Sequence, residues 1–314
     1  MEVKLSKEAS AIPTVLVTNE GGINDYGLRI LVRVLLSTGC FRVFVCAPAS
    51  SQSGVGHGIT WHQDLCVKPV KIEGAIAFAV TGTPADCASL GVSGVLFYGT
   101  TPDLVLSGIN VGNTCGNTIC YSGTVAAAQE AFLQGVPSIA LSYGWRNNIS
   151  STHDLKLAAE SCLPIISFVL NETKNKTFPP QSFLNINVPT NVSNHKGFRL
   201  ANLGKFKMKN DYTPTANMHV INASGATERD AFSSPSQEQL WLRRDILAIA
   251  NLDEGDDIDY RAIQAGYITI TLLGALFSSE IPTFPYLRAW LREINPNHHS
   301  SYDCSEIPDW SIYK

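Results

Sequence analysis

Residues 14–48 read TVLVTNEGGINDYGLRILVRVLLSTGCFRVFVCAP, and this stretch decides the fold. It begins with a short β-branched run over 14–18 and ends with another over 41–47, both typical of buried strands. Between the two runs, the apolar residues of 28–36 recur at the spacing of an amphipathic helix, which Gly39 closes. A strand, a helix and a second strand in this order predict a βαβ unit with parallel strands.

The same alternation continues to about residue 190. Further strands are predicted at 104–107, 137–142, 184–188, 197–203 and 267–272, and further helices from near 85, at 125–133, at 154–170 and at 286–294. Residues 59–82 indicate an extended hairpin excursion, and the polar stretch 205–239 has no apolar core of its own. The pattern therefore predicts an α/β fold with a Rossmann-like, doubly wound, mostly parallel sheet in three αβα layers.

Composition narrows the classes of function. The chain has 314 residues, of which 45% are hydrophobic and 16% charged, with a formal net charge of -4. These values are typical of a compact protein and give no electrostatic basis for binding a nucleic-acid polymer. No stretch approaches the ~20 apolar residues of a membrane span, and residues 1–13 lack the apolar core of a signal peptide. We therefore expect a cytoplasmic protein whose partner is a small ligand or another protein.

Oxygen-bearing side chains follow three predicted strands. Asn19 and Glu20 come after the first strand, Ser53 after the second, and Asn110 after the strand at 104–107. Because ligands of doubly wound sheets bind beyond the carboxyl ends of the strands, we expect Glu20, Ser53 and Asn110 to lie together. Carboxylate, hydroxyl and amide oxygens suit magnesium, manganese or calcium better than zinc.

Two further features each allow two interpretations. Ser122, Gly123 and Thr124 open a predicted helix, whose free N–H groups and dipole can bind a phosphate, but serine and threonine are also common simple N-caps. His57 lies close to Ser53 and is either a proton donor or acceptor or, more often for such a residue, a structural histidine.

Six blocks in order resemble the SurE family of phosphatases, in particular its plant-type members. They are TNEGG (18–22), APASSQSG (47–54), TGTPADC (81–87), SGINVGNTCGN (107–117), YSGTVAAAQEA (121–131) and DYRAIQAGYITITLL (259–273). The resemblance implies hydrolysis of nucleoside 5′- and 3′-monophosphates with a divalent metal, Mg²⁺ or Mn²⁺, by a 5′-nucleotidase or acid phosphatase.

The resemblance also implies a domain organisation. One SurE-like domain would span 13–294, with a Rossmann-like core at 13–195. Residues 196–294 would supply a swapped β-hairpin arm, the last strand and a closing helix, and 1–12 and 295–314 would be flexible tails. Such arms imply a homodimer or homotetramer.

By the same resemblance, Glu20, Ser53 and Asn110 hold the metal, and Asn19, Ser122, Gly123 and Thr124 contact the phosphate. Glu20, Asn110 and Ser122 would be the catalytic residues. The family has two consecutive acidic residues where this chain has Glu20 and Gly21, so one ligand is longer and one is missing.

The altered acidic pair predicts weaker metal binding and impaired activity. Asp25 either places a compensating carboxylate at the site or, more commonly for such a residue, caps the helix that follows. The competing hypothesis is a non-catalytic SurE-like paralogue that binds nucleotide or joins mixed oligomers.

Overall fold

The structure, a computed structural model, describes residues 12–179, 182–205, 207–214, 242–249 and 257–274. The strands are Thr14–Thr18 (β1), Arg42–Pro48 (β2), Val67–Pro69 (β3), Ala75–Val80 (β4), Leu104–Val111 (β5), Ser138–Tyr143 (β6), Ser182–Val188 (β7), Phe198–Leu200 (β8), Lys207–Pro214 (β9), Leu242–Ile249 (β10) and Ile268–Gly274 (β11). The α-helices are Tyr26–Ser37 (α1), Pro84–Val92 (α2), Gly123–Leu133 (α3), Thr152–Lys174 (α4) and Asp259–Gln264 (α5).

Nine strands form one sheet in the order β3-β4-β2-β1-β5-β6-β7-β11-β8. The six strands from β4 to β7 are parallel to one another, whereas β3 and β11 pair in the antiparallel sense with β4 and β7. The predicted mostly parallel sheet is confirmed. The prediction of an extended hairpin at 59–82 was incomplete. β3 and β4 do pair in the antiparallel sense, but β4 also pairs in parallel with β2 and so belongs to the parallel part of the sheet.

Helices cover both faces of this sheet and give three layers. Apolar residues of α1 and α4 form one core cluster with Val15 and Val17, whereas α2 and α3 form a second cluster with Leu16. Successive residues of a strand point to opposite faces, so β1 is buried on both sides at the centre of the sheet. A buried leucine or valine contributes about 1.5–3 kcal/mol, which makes these clusters the main stabilising force.

A two-stranded antiparallel sheet of β9 and β10 lies within the region expected to form an arm. Its two strands pair over their full lengths, from Lys207 with Ile249 to Pro214 with Leu242. The predicted closing helix at 286–294 and both predicted tails lie outside the described residues. The domain boundaries and the exchange of the arm therefore stay predictions.

Cysteines in the described part of the chain are free thiols. Cys46, Cys87 and Cys162 are buried, as their apolar sequence context indicates, and burial raises the pKa of Cys162 to about 12. Within the same residues, no helix combines the length and the apolar character needed to cross a membrane.

Candidate functional site

The candidate site lies where the order of the sheet reverses. β1 pairs with β2 on one side and with β5 on the other. The strands that follow β1 in the chain are therefore added first on one side of it and then on the other. The carboxyl ends of strands at such a reversal form the ligand crevice of doubly wound folds. Here Asn19 and Glu20 leave β1 directly at that edge, and Asn110 lies near the end of β5.

A tight turn at 19–22 fixes the end of β1. The Asn19 side chain accepts a hydrogen bond from the Gly22 N–H (3.1 Å) and donates one to the Gly22 carbonyl (3.1 Å). Gly22 has a φ of +93°, and a Cβ there would lie 3.0 Å from the carbonyl carbon of Ser50, so the turn needs glycine. Asn19, a predicted phosphate contact, thus organises the turn.

Glu20 reaches the N-terminus of α3. Its Oε2 accepts a hydrogen bond of 2.7 Å from the Gly123 N–H, and the side chain is buried. A Cβ on Gly123 would lie 2.7 Å from Pro84 Cγ and 3.0 Å from Glu20 Cβ, so glycine permits this approach. The carboxylate therefore binds at the helix end that attracts anions, which is the place the sequence predicted for a phosphate.

Two carboxylates, those of Glu20 and Asp25, interact electrostatically at this edge. Burial raises the pKa of Glu20 above its usual range and repulsion from Asp25 adds to the increase, while the backbone of Gly123 and the hydroxyl and backbone of Thr124 oppose it. Burial also raises the pKa of Asp25, against the opposing effect of hydrogen bonds from Leu28, Gly27 and Asn19. Neither carboxylate forms an ion pair with a lysine, arginine or histidine in the described ranges.

Ser122 and Thr124 differ in their roles at the start of α3. Ser122 is the N-cap, since its Oγ accepts a hydrogen bond from the Val125 N–H (3.2 Å). The Thr124 hydroxyl is fully buried and lies beside the Glu20 carboxylate, whose pKa it lowers. Capping by Ser122 is therefore observed, whereas phosphate binding stays a prediction.

The loop that carries Ser53 is attached to both β1 and α3. The Gln52 N–H donates to the Glu20 carbonyl (2.8 Å), and the Gly56 N–H donates to the Tyr121 carbonyl (3.2 Å). These two bonds hold Ser53 between the end of β1 and the start of α3, with its side chain exposed. A hydroxyl in this position is available to a ligand in the crevice.

Asn110 lies within β5 and not after it, because the strand continues to Val111 across a break in register between Ser107 and Asn110. Its Nδ2 donates to the Gly112 carbonyl (3.0 Å) and to the Thr114 hydroxyl (3.4 Å), so these two bonds do not involve Oδ1. Thr114 is itself held by Asn187, whose Oδ1 accepts from the Thr114 N–H (2.7 Å).

His57 has a structural partner. Its Nε2 lies 2.9 Å from Glu130 Oε2 and its Nδ1 lies 3.0 Å from Gln129 Oε1, and both partners belong to α3. The hydrogen bond to Glu130 raises the pKa of His57 and lowers the pKa of Glu130. Of the two interpretations, the geometry favours a histidine that fastens the 53–57 loop to α3.

Asp259 is a structural acid that sequence reasoning left without a role. It is fully buried and accepts hydrogen bonds from the N–H groups of Gly116 (2.9 Å), Gly204 (3.1 Å) and Tyr260 (2.8 Å). The local signal is an aspartate in the first turn of a short helix, but its partners lie far away in the sequence. Asp259 thereby joins the loop before α3 to the last part of the sheet.

The chemistry of the donors fits a hard divalent cation. No described group of three or more His, Cys, Asp or Glu side chains could hold a metal ion, so a cation here needs neutral oxygens beside carboxylates. Glu20, Ser53 and Asn110 offer such oxygens, and the carboxylates of the buried Glu20 and the half-buried Asp25 lack a cationic side chain as partner among the described residues. Magnesium commonly binds through one or two carboxylates and keeps several waters.

Comparison with known proteins identifies similar sequences over most of the chain. The family model described as "Survival protein SurE" matches residues 15–210. The 5′-nucleotidase SurE of Thermosipho africanus is 34% identical over 269 residues, which are 85% of this chain and 93% of that protein. The 5′-nucleotidase SurE of Aquifex aeolicus is 34% identical over 83% of this chain and 92% of its own length.

A solved structure gives the same result for the fold. The crystal structure of the SurE protein from Aquifex aeolicus aligns with a TM-score of 0.66 and 30% sequence identity, covering 88% of this chain and all of that chain. The match of sequence and fold leads to one conclusion: this chain belongs to the SurE family.

Proposed function

We propose that the chain is a divalent-metal-dependent phosphomonoesterase that hydrolyses nucleoside 5′- and 3′-monophosphates. The observation that carries the proposal is the meeting of Glu20 with the N-terminus of α3 at the crevice beside β1 and β5. A helix N-terminus favours a phosphate, and oxygen ligands beside it favour a hard cation. The names of the relatives as 5′-nucleotidases support nucleotides as the substrate class.

In this proposal, each side chain has a defined task. Glu20, Ser53 and Asn110 hold Mg²⁺ or Mn²⁺, which when bound offsets phosphoryl charge and makes a bound water more acidic. Asn19 orders the turn and, with Ser122, Gly123 and Thr124, surrounds the phosphate. The dipole of α3 stabilises negative charge that develops during phosphoryl transfer.

The contact between Glu20 and Gly123 limits this activity. While Oε2 accepts the Gly123 N–H, that N–H group is not free to bind a phosphate oxygen. Gly21 also supplies no ligand oxygen from a side chain of its own. We therefore expect weak metal binding and low activity at submillimolar metal.

The test is release of inorganic phosphate from nucleoside monophosphates by the purified protein across a titration of Mg²⁺ and Mn²⁺. We expect activity that depends on metal and falls at least 100-fold in Asn110→Ala, since Oδ1 is lost as a ligand. Asp64→Asn, at an exposed carboxylate, is the matched control and should retain activity. Equal activity with EDTA and with metal would contradict the proposal.

The second candidate function is a non-catalytic paralogue that binds nucleotide. It is favoured by the same Glu20–Gly123 contact, because a carboxylate already binds where the phosphate of a substrate would. Nucleotide binding in calorimetry without phosphate release at any metal concentration would support this candidate over the enzyme.

We also propose that residues 196–294 mediate self-association into a homodimer or homotetramer. The support is the two-stranded sheet of β9 and β10, which is separate from the main sheet in its pairing. Light scattering should give a mass of two or four chains, and a monomer at micromolar concentration would contradict this proposal.

A further inference from the structure

Asp25 fills the space beside Gly21. A Cβ built on Gly21 would lie 2.7 Å from both Cγ and Oδ2 of Asp25 and 3.0 Å from its Cβ. Contacts under 3.0 Å from a Cβ are essentially never seen, so the Asp25 carboxylate stands where a side chain of residue 21 would project.

The two oxygens of Asp25 have different surroundings. Oδ1 accepts hydrogen bonds from the N–H groups of Gly27 (2.8 Å) and Leu28 (3.3 Å), so Asp25 is the N-cap of α1. These bonds, together with a hydrogen bond from the Asn19 side chain to the carboxylate, fix the rotamer of the side chain, and Oδ2 lies against Gly21. A single carboxylate thus caps a helix with one oxygen and presents the other at the end of β1.

The charges at this edge lack a cationic partner among the described residues. Arg29, the nearest cation along α1, donates to the Ile23 carbonyl (2.8 Å) and to Asn24 Oδ1 (3.0 Å), and not to Asp25 or Glu20. On the other side of Glu20, the neighbours are neutral donors, the Gly123 N–H and the fully buried Thr124 hydroxyl. Two carboxylates that have neutral donors but no cationic partner indicate a ligand that is a cation.

We propose that Asp25 supplies the second carboxylate of the cation site, in place of a side chain at residue 21. The inference rests on the proposed metal dependence and deepens it, because it makes Glu20 and Asp25 the acidic pair beside Ser53 and Asn110. The acidic charge has moved four residues along the chain, from the turn to the cap of α1, and the site keeps two carboxylates.

A steric consequence follows from the 2.7 Å between a Cβ at residue 21 and the carboxylate of Asp25. A side chain at residue 21 and the present position of Asp25 exclude each other, so aspartate at 21 requires that Asp25 be removed or displaced. Gly21→Asp alone is expected to gain no cation affinity, whereas Gly21→Asp combined with Asp25→Ala should bind cation as the wild type does.

The test measures Mn²⁺ affinity of the full chain by isothermal titration calorimetry, which does not depend on turnover. Asp25→Asn is the informative single variant, because asparagine is as good an N-cap as aspartate and preserves α1. We expect its Mn²⁺ affinity to fall at least tenfold, with the Tm of the metal-free protein unchanged within about 2 °C. Asp64→Asn removes an exposed carboxylate and should leave the affinity unchanged.

The outcomes separate this inference from the proposed function. Asp25→Asn with the Mn²⁺ affinity of the wild type would overturn the inference even if phosphate release is observed. Mn²⁺ binding that depends on Asp25 without phosphate release would support the inference and reject the enzyme. A wild type that does not bind Mn²⁺ at millimolar concentration would overturn both.

Discussion

Glu20 combines two interactions in one side chain. Its position at the end of β1 makes it a cation ligand in the proposed function, and its length brings Oε2 to the Gly123 N–H at 2.7 Å. An aspartate is shorter by one methylene and would lack this reach. In the proposed function, the single additional carbon therefore sets the competition between the carboxylate and a substrate phosphate for the start of α3.

This argument predicts the effect of Glu20→Asp. With the α3 N–H group released, the variant should bind inorganic phosphate about tenfold more tightly in EDTA, a gain of ~1.4 kcal/mol, within the usual strength of hydrogen bonds to charged groups. Calorimetric titration with phosphate measures it. Glu20→Gln keeps the length of the side chain and serves as the control. An unchanged affinity in Glu20→Asp would show that Glu20 does not compete with phosphate.

At the scale of elements, α3 is held by contacts at its start and two turns further on. Ser122 caps it, Glu20 contacts its first N–H group, and His57 contacts Glu130 in its third turn. Each contact comes from a different loop at the edge of the sheet. The position of α3 thereby depends on the loops that also carry the candidate ligands.

Ser122→Ala separates capping from phosphate binding. Loss of the bond to the Val125 N–H should lower the free energy of unfolding by about 1 kcal/mol, measured by urea denaturation. Ser122→Asn should restore the stability, because asparagine caps equally well. If Ser122 also binds phosphate, both variants should weaken phosphate affinity, and a normal affinity in both would leave capping as its only role.

The contact between His57 and Glu130 predicts a dependence of stability on pH. The raised pKa of His57 stabilises the fold below its ordinary pKa, and this contribution is lost as pH rises through the pKa in the folded state. The lowered pKa of Glu130 contributes above its ordinary pKa and is lost as pH falls through its folded value. The pair should contribute most between about pH 4.5 and 6.5, the ordinary values of the two groups.

His57→Gln and Glu130→Gln provide the measurement. The difference in the free energy of unfolding between wild type and either variant should be largest near pH 6 and should shrink above pH 8. Trp61→Phe, in the same part of the chain but exposed, is the control for perturbation of the segment. A difference that stays constant from pH 5 to 9 would contradict the charge interaction.

At the scale of the whole molecule, one buried acid joins distant segments. Asp259 accepts backbone hydrogen bonds from residue 116, before α3, and from residue 204, after β8. The two bonds link Asp259 to residues that lie 143 and 55 positions earlier in the sequence. The last described helix is thereby fastened to the loop that leads into the candidate site.

Asp259→Asn should therefore destabilise the entire fold. An amide retains one accepting oxygen and turns the other position into a donor that faces backbone N–H groups, so the loss should be about 2–3 kcal/mol. Urea denaturation checks the value. Asp103→Asn is the control, because Asp103 accepts one backbone hydrogen bond, from the Thr14 N–H, where Asp259 accepts three. A loss below 0.5 kcal/mol, within ~RT, would refute the structural role of Asp259.

The prediction from the sequence succeeded where a pattern is local. Strands β1, β2, β6 and β7 and helices α1, α3 and α4 begin and end within a few residues of their predicted bounds, because period-2 and period-3.6 patterns record which faces are buried. The pairing of β4 with β2 was not predicted, since its short segment resembles a hairpin strand and only the parallel partner distinguishes the two.

The sequence by itself determined the order of the elements, the resemblance to the SurE family and the identity of the oxygen-bearing residues at the strand ends. Tertiary structure alone decided how those residues are used. Glu20 meets Gly123 across 103 residues, and Asp25 stands against Gly21 because the turn at 19–22 folds back onto the cap of α1. Such contacts depend on the positions of side chains to within tenths of an ångström, and no local pattern of residue types encodes that precision.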